Sequence, residues 1–489
     1  MKNITEGIAD FNTLEQIIFA SMCQQACQVM EEYLQIVDMM IMASRDTQEY
    51  RLVHTRARTI KTRMGEISCN RRYYKKKTGG YVFLLDEAMG ITDDYGLVSE
   101  NLAEEIVMAC TEKSFRRAAA SISRLTGQPL SPMCAWRVFQ QYGEKLERQE
   151  ARLGELERSG ATGQLGNVES PVLFQEMDDV WLSMQKEERY KAGTPSTTGE
   201  KKAGKKPMHV AIAYTGWCQE TDGRYATRDK TAYASFGGAK KFVRDFETLL
   251  CHRYDMDGVQ RRVANGDGAG WISAAAADID ATFQLDPFHR SRAIMRAVSD
   301  KESREAIFVA IREKDVDKVL EITYGMIAKA DDDASCEKIG KLYGYLHSNK
   351  DHLLTWQERG LELPMPPEGV VYRNLGAQEA SNGDLIALRM KHRKGSWSTR
   401  GANHMAKALC FRHTIGLGPM MWALPEPQQA GAEPLDPLSA AKAPQRDGKG
   451  YDGAWLRAAL PFEGAFVTNG RGAIRKLVSQ RLTSDLNFI

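Results

Sequence analysis

The sequence predicts an α/β chain with an α+β N-terminal region, and three features of its 489 residues lead there. Strand-type runs between Val172 and Ala264 pass into alternating strand and helix patterns. An acid stands between glycines at the end of an apolar run, in Asn265-Gly266-Asp267-Gly268. From Asp300 to Trp356 the apolar spacing is helical throughout, which predicts an all-α insertion in the α/β unit. At this length two to four structural units are expected, and 43% apolar content is ample to bury their cores.

Composition narrows the chemistry. There is no apolar run long enough to span a bilayer, and Met1-Lys2-Asn3-Ile4-Thr5-Glu6 lacks a charged-then-apolar leader, so a cytoplasmic location without membrane contact is expected. Nine cysteines without a Cys-x-x-Cys pair argue against a disulfide framework or a thiolate zinc site. Nine histidines without a His-Glu-x-x-His cluster argue against a zinc hydrolase, so any metal should be a hard cation held by oxygen.

From Thr13 to Ala43 the spacing of Leu14, Ile17, Ile18 and Met22 predicts one long helix, suited to a dimer contact or to packing within its own domain. Its Cys23 and Cys27 read as two small buried residues on one face. Between Arg51 and Lys77 ten Lys or Arg face a single acid, Glu66. The alternation around Met64-Gly65 and the run Tyr81 to Leu85 predict a small sheet there. Such density, with tyrosines interleaved, favours a polyanion, and Arg71, Arg72, Tyr73, Lys75 and Lys76 become candidate DNA contacts.

Ser114 to Tyr142 predicts two helices about Thr126-Gly127-Gln128-Pro129, the second opened by Ser131 as cap and Pro132. The pattern fits a helix-turn-helix, with Arg124 and Arg137 as DNA contacts, or an ordinary helical hairpin. A charged helix, Gly143 to Arg158, should follow. Then come strands at Val172 to Met184, His209 to Tyr214, Tyr225 to Phe236 and Gln260 to Ala264, with a helix from Ala239 to Tyr254 before the last. A further strand, Thr282 to Leu285, precedes a helix near Arg290. Three strands, a helix and two strand–helix steps outline a ribonuclease H-like core. Lys201 and Lys202, in the loop Thr194 to Pro207, are phosphate contacts or a solvated hairpin tip. Pro425, Pro427, Pro434, Pro437 and Pro444 mark a linker before the tail.

The chain therefore divides into 1–110, helix and basic β segment; 111–160, the helix-turn-helix-like region; 165–298, the first part of the core; 299–365, the helical insertion; 366–422, the rest of the core; and 423–489, linker and tail.

Alternation in Glu176-Met177-Asp178-Asp179 puts Glu176 and Asp178 on one face and Asp179 on the other, so one acid of the Asp pair can meet Asp267 across the sheet. A third acid, Glu379, opens a helical pattern running to Met390. Three carboxylates suit phosphodiester chemistry, in which two divalent ions about 3.5–4 Å apart activate water and stabilise the leaving oxygen. The plainer alternatives are a strand-end cap, a turn residue and a helix residue favoured by the N-terminal dipole.

Cys69-Asn70-Arg71-Arg72-Tyr73-Tyr74, Glu176-Met177-Asp178, Asn265 to Ile272, Leu285-Asp286-Pro287-Phe288-His289, Glu379-Ala380-Ser381-Asn382 and Trp397-Ser398-Thr399-Arg400-Gly401-Ala402 together resemble the ISLre-type bacterial insertion-sequence transposases and, more distantly, the Mutator-like transposases. The resemblance runs from about Thr13 to about Leu424. It implies a DDE transposase with catalytic, metal-binding Asp178, Asp267 and Glu379, two Mg²⁺ ions for which Mn²⁺ can substitute, and supporting His289 and Trp397. It also implies element ends and target DNA as partners, a homo-oligomer on DNA and a nucleoid-associated location. One departure stands out: the family commonly has Asp-Gly where this chain has Asp178-Asp179. Two other readings remain open, a transposase-derived DNA-binding protein without catalysis and a ribonuclease H-like structure-specific nuclease.

Overall fold

The computed structural model describes residues 10–159, 166–185, 195–196, 199–200, 204–330, 332–392 and 395–414. Lys201, Lys202 and the linker and tail over 423–489 lie outside them. The chain is mixed α/β and forms two compact units, 10–105 with 120–130, and 106–119 with 131–414. No described helix is long and apolar enough to cross a membrane.

In the first unit α1 (Phe11–Ser44) is the long helix expected, capped by the Asp10 side chain, which accepts from the amides of Asn12 and Thr13. Its second half packs Cys27 and Leu34 onto an antiparallel sheet of β1 (Tyr50–Lys61), β2 (Glu66–Lys76) and β3 (Tyr81–Val82). Ile67 and Cys69 of β2 and Leu85 of α2 (Leu84–Met89) complete this core.

Strand alternation here corrects the reading of the basic segment. Arg71 follows Ile67 and Cys69 onto the buried face, and its guanidinium meets Asp86 beneath the Phe83 ring, 3.8 Å from the centroid. Arg58 is buried on the same carboxylate, with N···O 3.2 Å, and Arg72 pairs with buried Asp38 of α1. Arg71 and Arg72 thus neutralise internal acids instead of facing a phosphate backbone. Tyr73 stacks on Tyr81 at 5.2 Å, Lys76 lies 3.4 Å from Glu87, and Lys75 and Lys77 face solvent.

Helices α3 (Glu100–Glu112), α4 (Phe115–Thr126) and α5 (Pro132–Arg158) follow. Gly127, at φ 66°, follows α4, and the Ser131 hydroxyl accepts from the Cys134 amide at 3.0 Å as the start signal predicts. Arg124 and Arg137 are both exposed. The two helices expected over 131–158 are one, and within it Gly143 leaves room for the His404 ring, which a Cβ would overlap.

The second unit is built on β4 (Val172–Ser183). Short strands β5 (Pro195–Ser196) and β6 (Gly199–Glu200) pair with each other, and β7 (Lys205–Tyr214) runs antiparallel to β4. The strand expected over 225–236 is two strands, since Asp229 adopts φ 51° between them. Accordingly β9 (Tyr225–Arg228) pairs with β8 (Gly216–Gln219), while β10 (Thr231–Ser235) joins β7. After α6 (Ala239–Arg253), β11 (Arg261–Gly266) and β12 (Thr282–Leu285) extend the sheet in parallel, with α7 (Gly270–Asp278) between them and α8 (Pro287–Ala297) after them.

The five-stranded order is β10-β7-β4-β11-β12, with β4 central. Leu173 and Met177 of β4 pack one face against Phe242 and Phe246 of α6 and Ile272 of α7. The helical insertion comprises α9 (Lys301–Arg312), α10 (Val316–Ala328) and α11 (Asp333–Ser348), each N-capped by an aspartate side chain. Its core reaches Leu285 and Ile294. Then come α12 (Ala377–Asn382), a π-helical stretch Gly383–Lys391 that departs from the continuous α-helix expected, and α13 (Thr399–Thr414).

Removing Asp86 leaves two buried guanidinium groups without their shared acid. Asp86→Ala should therefore lower unfolding stability by about 3 kcal/mol in urea titration, and a loss under about 0.5 kcal/mol would mark the pairs as solvated surface contacts.

Candidate metal centre

Three elements deliver acids or imidazole to the middle of β4, just past the end of β11. In the parallel pair β4–β11 Gly266 stands opposite Met177, so Asp267 emerges from β11 abreast of Asp178. Gly268 turns the chain at φ 87°, and a Cβ there would press on Asn349 at 3.0 Å. After β12, Asp286 caps α8 by accepting from the Phe288 amide at 2.7 Å, with Pro287 in the first turn. That start sets His289 with its Nε2 4.0 Å from Oδ2 of Asp178. Glu379 lies in the first turn of α12.

Asp178, His289 and Glu379 each offer one ligand atom, all within 4.8 Å of one another. Asp178 is buried, His289 half-buried and Glu379 exposed, so the group opens toward solvent on the helix side. Two carboxylates and an imidazole are a donor set that a divalent cation fits, with Mn²⁺ accepting the nitrogen more readily than Mg²⁺ does. His289 joins Asp178 and Glu379, whereas Asp267 flanks the group and also serves its own turn, its Oδ1 accepting from the Ala269 amide at 2.9 Å.

Asp178 and Asp179 face opposite sides of β4 and touch different partners. Asp179 faces the other way and lies 2.6 Å from Nδ1 of His209, whose ring packs against Trp271 at 4.5 Å. Asp178 accepts from the Asp179 amide at 2.7 Å and from Asn382 Nδ2 at 2.8 Å. Burial pushes its carboxyl up to about 7; Asp267 and Asp179 add to the rise and His289 opposes it. Burial also raises Asp267.

Trp397 touches none of these acids in its described contacts. It bridges to Met184 after β4 and donates from Nε1 to the Met390 carbonyl at 3.0 Å, tying the π-helical stretch to the central strand. Sequence reading missed Asn382, although its position three residues after Glu379 on a helix is a usable signal. It also missed Tyr345 of α11, whose hydroxyl donates to the Asp267 carbonyl at 2.9 Å. No local pattern could reveal that contact from 78 positions away.

Residues 4–423 match the profile of the uncharacterised protein family UPF0236. The chain belongs to this family. One UPF0236 protein of Caldanaerobacter subterraneus subsp. tengcongensis is 23% identical over 451 residues, 91% of this chain and 86% of its own length. Another from the same organism, named UPF0236 protein TTE0610/TTE0881/TTE1053/TTE2432, is 23% identical across 79% of this chain and 74% of its own. The UPF0236 protein in the vanSb 3′ region of Streptococcus gallolyticus is 22% identical across 83% of this chain and 82% of its own. The span matched to UPF0236 contains Asp178, Asp267, His289 and Glu379.

A carboxyl raised from 3.8 to about 7 binds a proton in the fold that it loses in the unfolded chain, so its ionisation costs stability as pH rises through that window. In metal-free protein Asp178→Asn should gain roughly 3–8 °C in melting temperature at pH 8 and much less at pH 5. A gain independent of pH would contradict the raised carboxyl.

Proposed function

We propose that this UPF0236 chain is a DDE-type transposase of a bacterial insertion sequence, cutting and joining DNA with divalent cations. The observation that carries the reading is the convergence of Asp178, His289 and Glu379 on the middle of the central strand, with Asp267 alongside at the end of β11. Further support comes from the sheet, whose five strands stand in the order third, second, first, fourth, fifth, with the second antiparallel to its neighbours. That order supports a ribonuclease H-like core. The helical insertion between β12 and the Glu379 helix adds to it.

A divalent cation bound by these side chains, Mg²⁺ or Mn²⁺, would supply Lewis-acid activation of water and neutralise charge on the leaving oxygen. Asp178, His289 and Glu379 would hold such a cation, Asp178 in its ionised form, and Asn382 Nδ2 donates to Oδ2 of Asp178. Tyr345 and the Ala269 amide hold Asp267 at its turn. In the overall reaction water cleaves a phosphodiester at the element end to free a 3′ hydroxyl. That hydroxyl then displaces a target phosphodiester, so one such bond is exchanged for another. Exposed Lys75, Lys77, Arg124 and Arg137 supply phosphate contacts. A helix-turn-helix in the segment 111–160 is proposed from its sequence pattern. A homo-oligomer working on DNA at the nucleoid belongs to the same proposal.

Purified protein, given labelled DNA from both flanks of its reading frame with Mg²⁺ or Mn²⁺, should produce nicks and joined products. Asp178→Asn and Glu379→Gln should each lower cleavage at least about 100-fold, with DNA binding by gel shift within about threefold of the parent. Cleavage without any joined product would favour a nuclease. DNA binding with no metal-dependent cleavage would favour a non-catalytic binding protein.

A further inference from the structure

Glu176 lies two residues before Asp178 on the same face of β4 and is fully buried. A carboxylate there is costly unless donors surround it. Four do. Its Oε1 accepts from the Tyr214 hydroxyl at 2.5 Å and the Ala377 amide at 2.9 Å. Its Oε2 accepts from Asn265 Nδ2 at 2.9 Å and the Gln378 amide at 3.3 Å.

Ala377 and Gln378 are the first two residues of α12, and the position before them is Gly376, which has no side chain to cap them. Glu176 supplies that cap from the central strand. The third residue of the helix is Glu379. The same turn is tied back to the metal centre, because Gln378 donates to Asn382 Oδ1 at 2.8 Å and Asn382 donates to Asp178 at 2.8 Å. On the other side Asn265 accepts from Gln284 at 3.1 Å, which in turn accepts from the Trp356 amide at 2.9 Å. A buried polar chain thus joins β4, β11, β12 and the start of α12.

We propose that Glu176 is a positioning residue, which sets the first turn of α12 and so fixes where Glu379 stands relative to Asp178. The proposal rests on the metal-centre reading above. Glu176 is no ligand itself, since both its oxygens are already engaged by protein donors. A carboxylate suits the place better than an amide, because all four partners are donors and Gln would turn an NH₂ toward one pair of them.

The test compares the full-length parent with Glu176→Gln and Tyr214→Phe, each checked for folding by circular dichroism and thermal melting. Two readouts follow, Mn²⁺ affinity by calorimetry and amide hydrogen exchange across 377–382. Glu176→Gln should weaken Mn²⁺ binding about 10- to 100-fold and speed exchange at Ala377 and Gln378. Tyr214→Phe, which keeps the carboxylate and removes one donor, should move both in the same direction, with affinity falling roughly threefold to tenfold. If Glu176→Gln does not fold, Tyr214→Phe decides by the same readouts. Parental Mn²⁺ affinity and exchange in the folded variants overturn the positioning role alone. A parent that binds no Mn²⁺, with exchange still accelerated in the variants, overturns the metal centre and leaves Glu176 as a helix cap only.

Discussion

The second unit depends on the register of β4. This strand is buried along most of its length and hydrogen-bonded on both sides, antiparallel to β7 and parallel to β11. Side chains alternate along it, so a slip of one residue would turn Leu173 and Met177 out of the core and bring Asp179 to the place of Asp178. Core packing on one face therefore fixes which acid stands on the other. The same register draws β11 level with β4, and Asp267 needs only the glycine turn after it to stand beside Asp178.

Such a site works against the stability of the fold that holds it. Asp178, Asp267 and Asp286 all have carboxyls raised by burial, and repulsion from Asp267 adds to the rise at Asp178 as that from Asp286 does at Asp267. A bound cation offsets that repulsion, so a cluster of this kind is expected to be strained when empty and settled when filled. The protein donors around it, Asn382 on Asp178 and Tyr345 on the Asp267 carbonyl, limit how far the acids can move apart meanwhile.

Much of this was legible in the sequence where period and punctuation agree. The long α1, the strands of the main sheet, the helical insertion and the order of Asp178, Asp267 and Glu379 all follow from alternation, glycine placement and helical spacing. What failed is equally physical. Arg71 looked like a phosphate contact because charge density was weighed without the strand alternation that sends it inward after Ile67 and Cys69. The break at Asp229 escaped notice because a non-glycine at positive φ carries little sequence signal. His289 came as a supporting residue that the resemblance implies, and it is the start of α8 at Asp286-Pro287 that places it beside Asp178 and Glu379. Long-range contacts such as Tyr345 with Asp267 leave no local trace at all.

The central claim is that these side chains form one cation site. Crystals grown with Mn²⁺ and measured at a wavelength where manganese scatters anomalously test it most directly. The account predicts an anomalous peak in contact with Asp178, Glu379 and His289, on the Asp267 side of α8. Ordered side chains with no peak among them, or manganese bound only elsewhere on the protein, would contradict it.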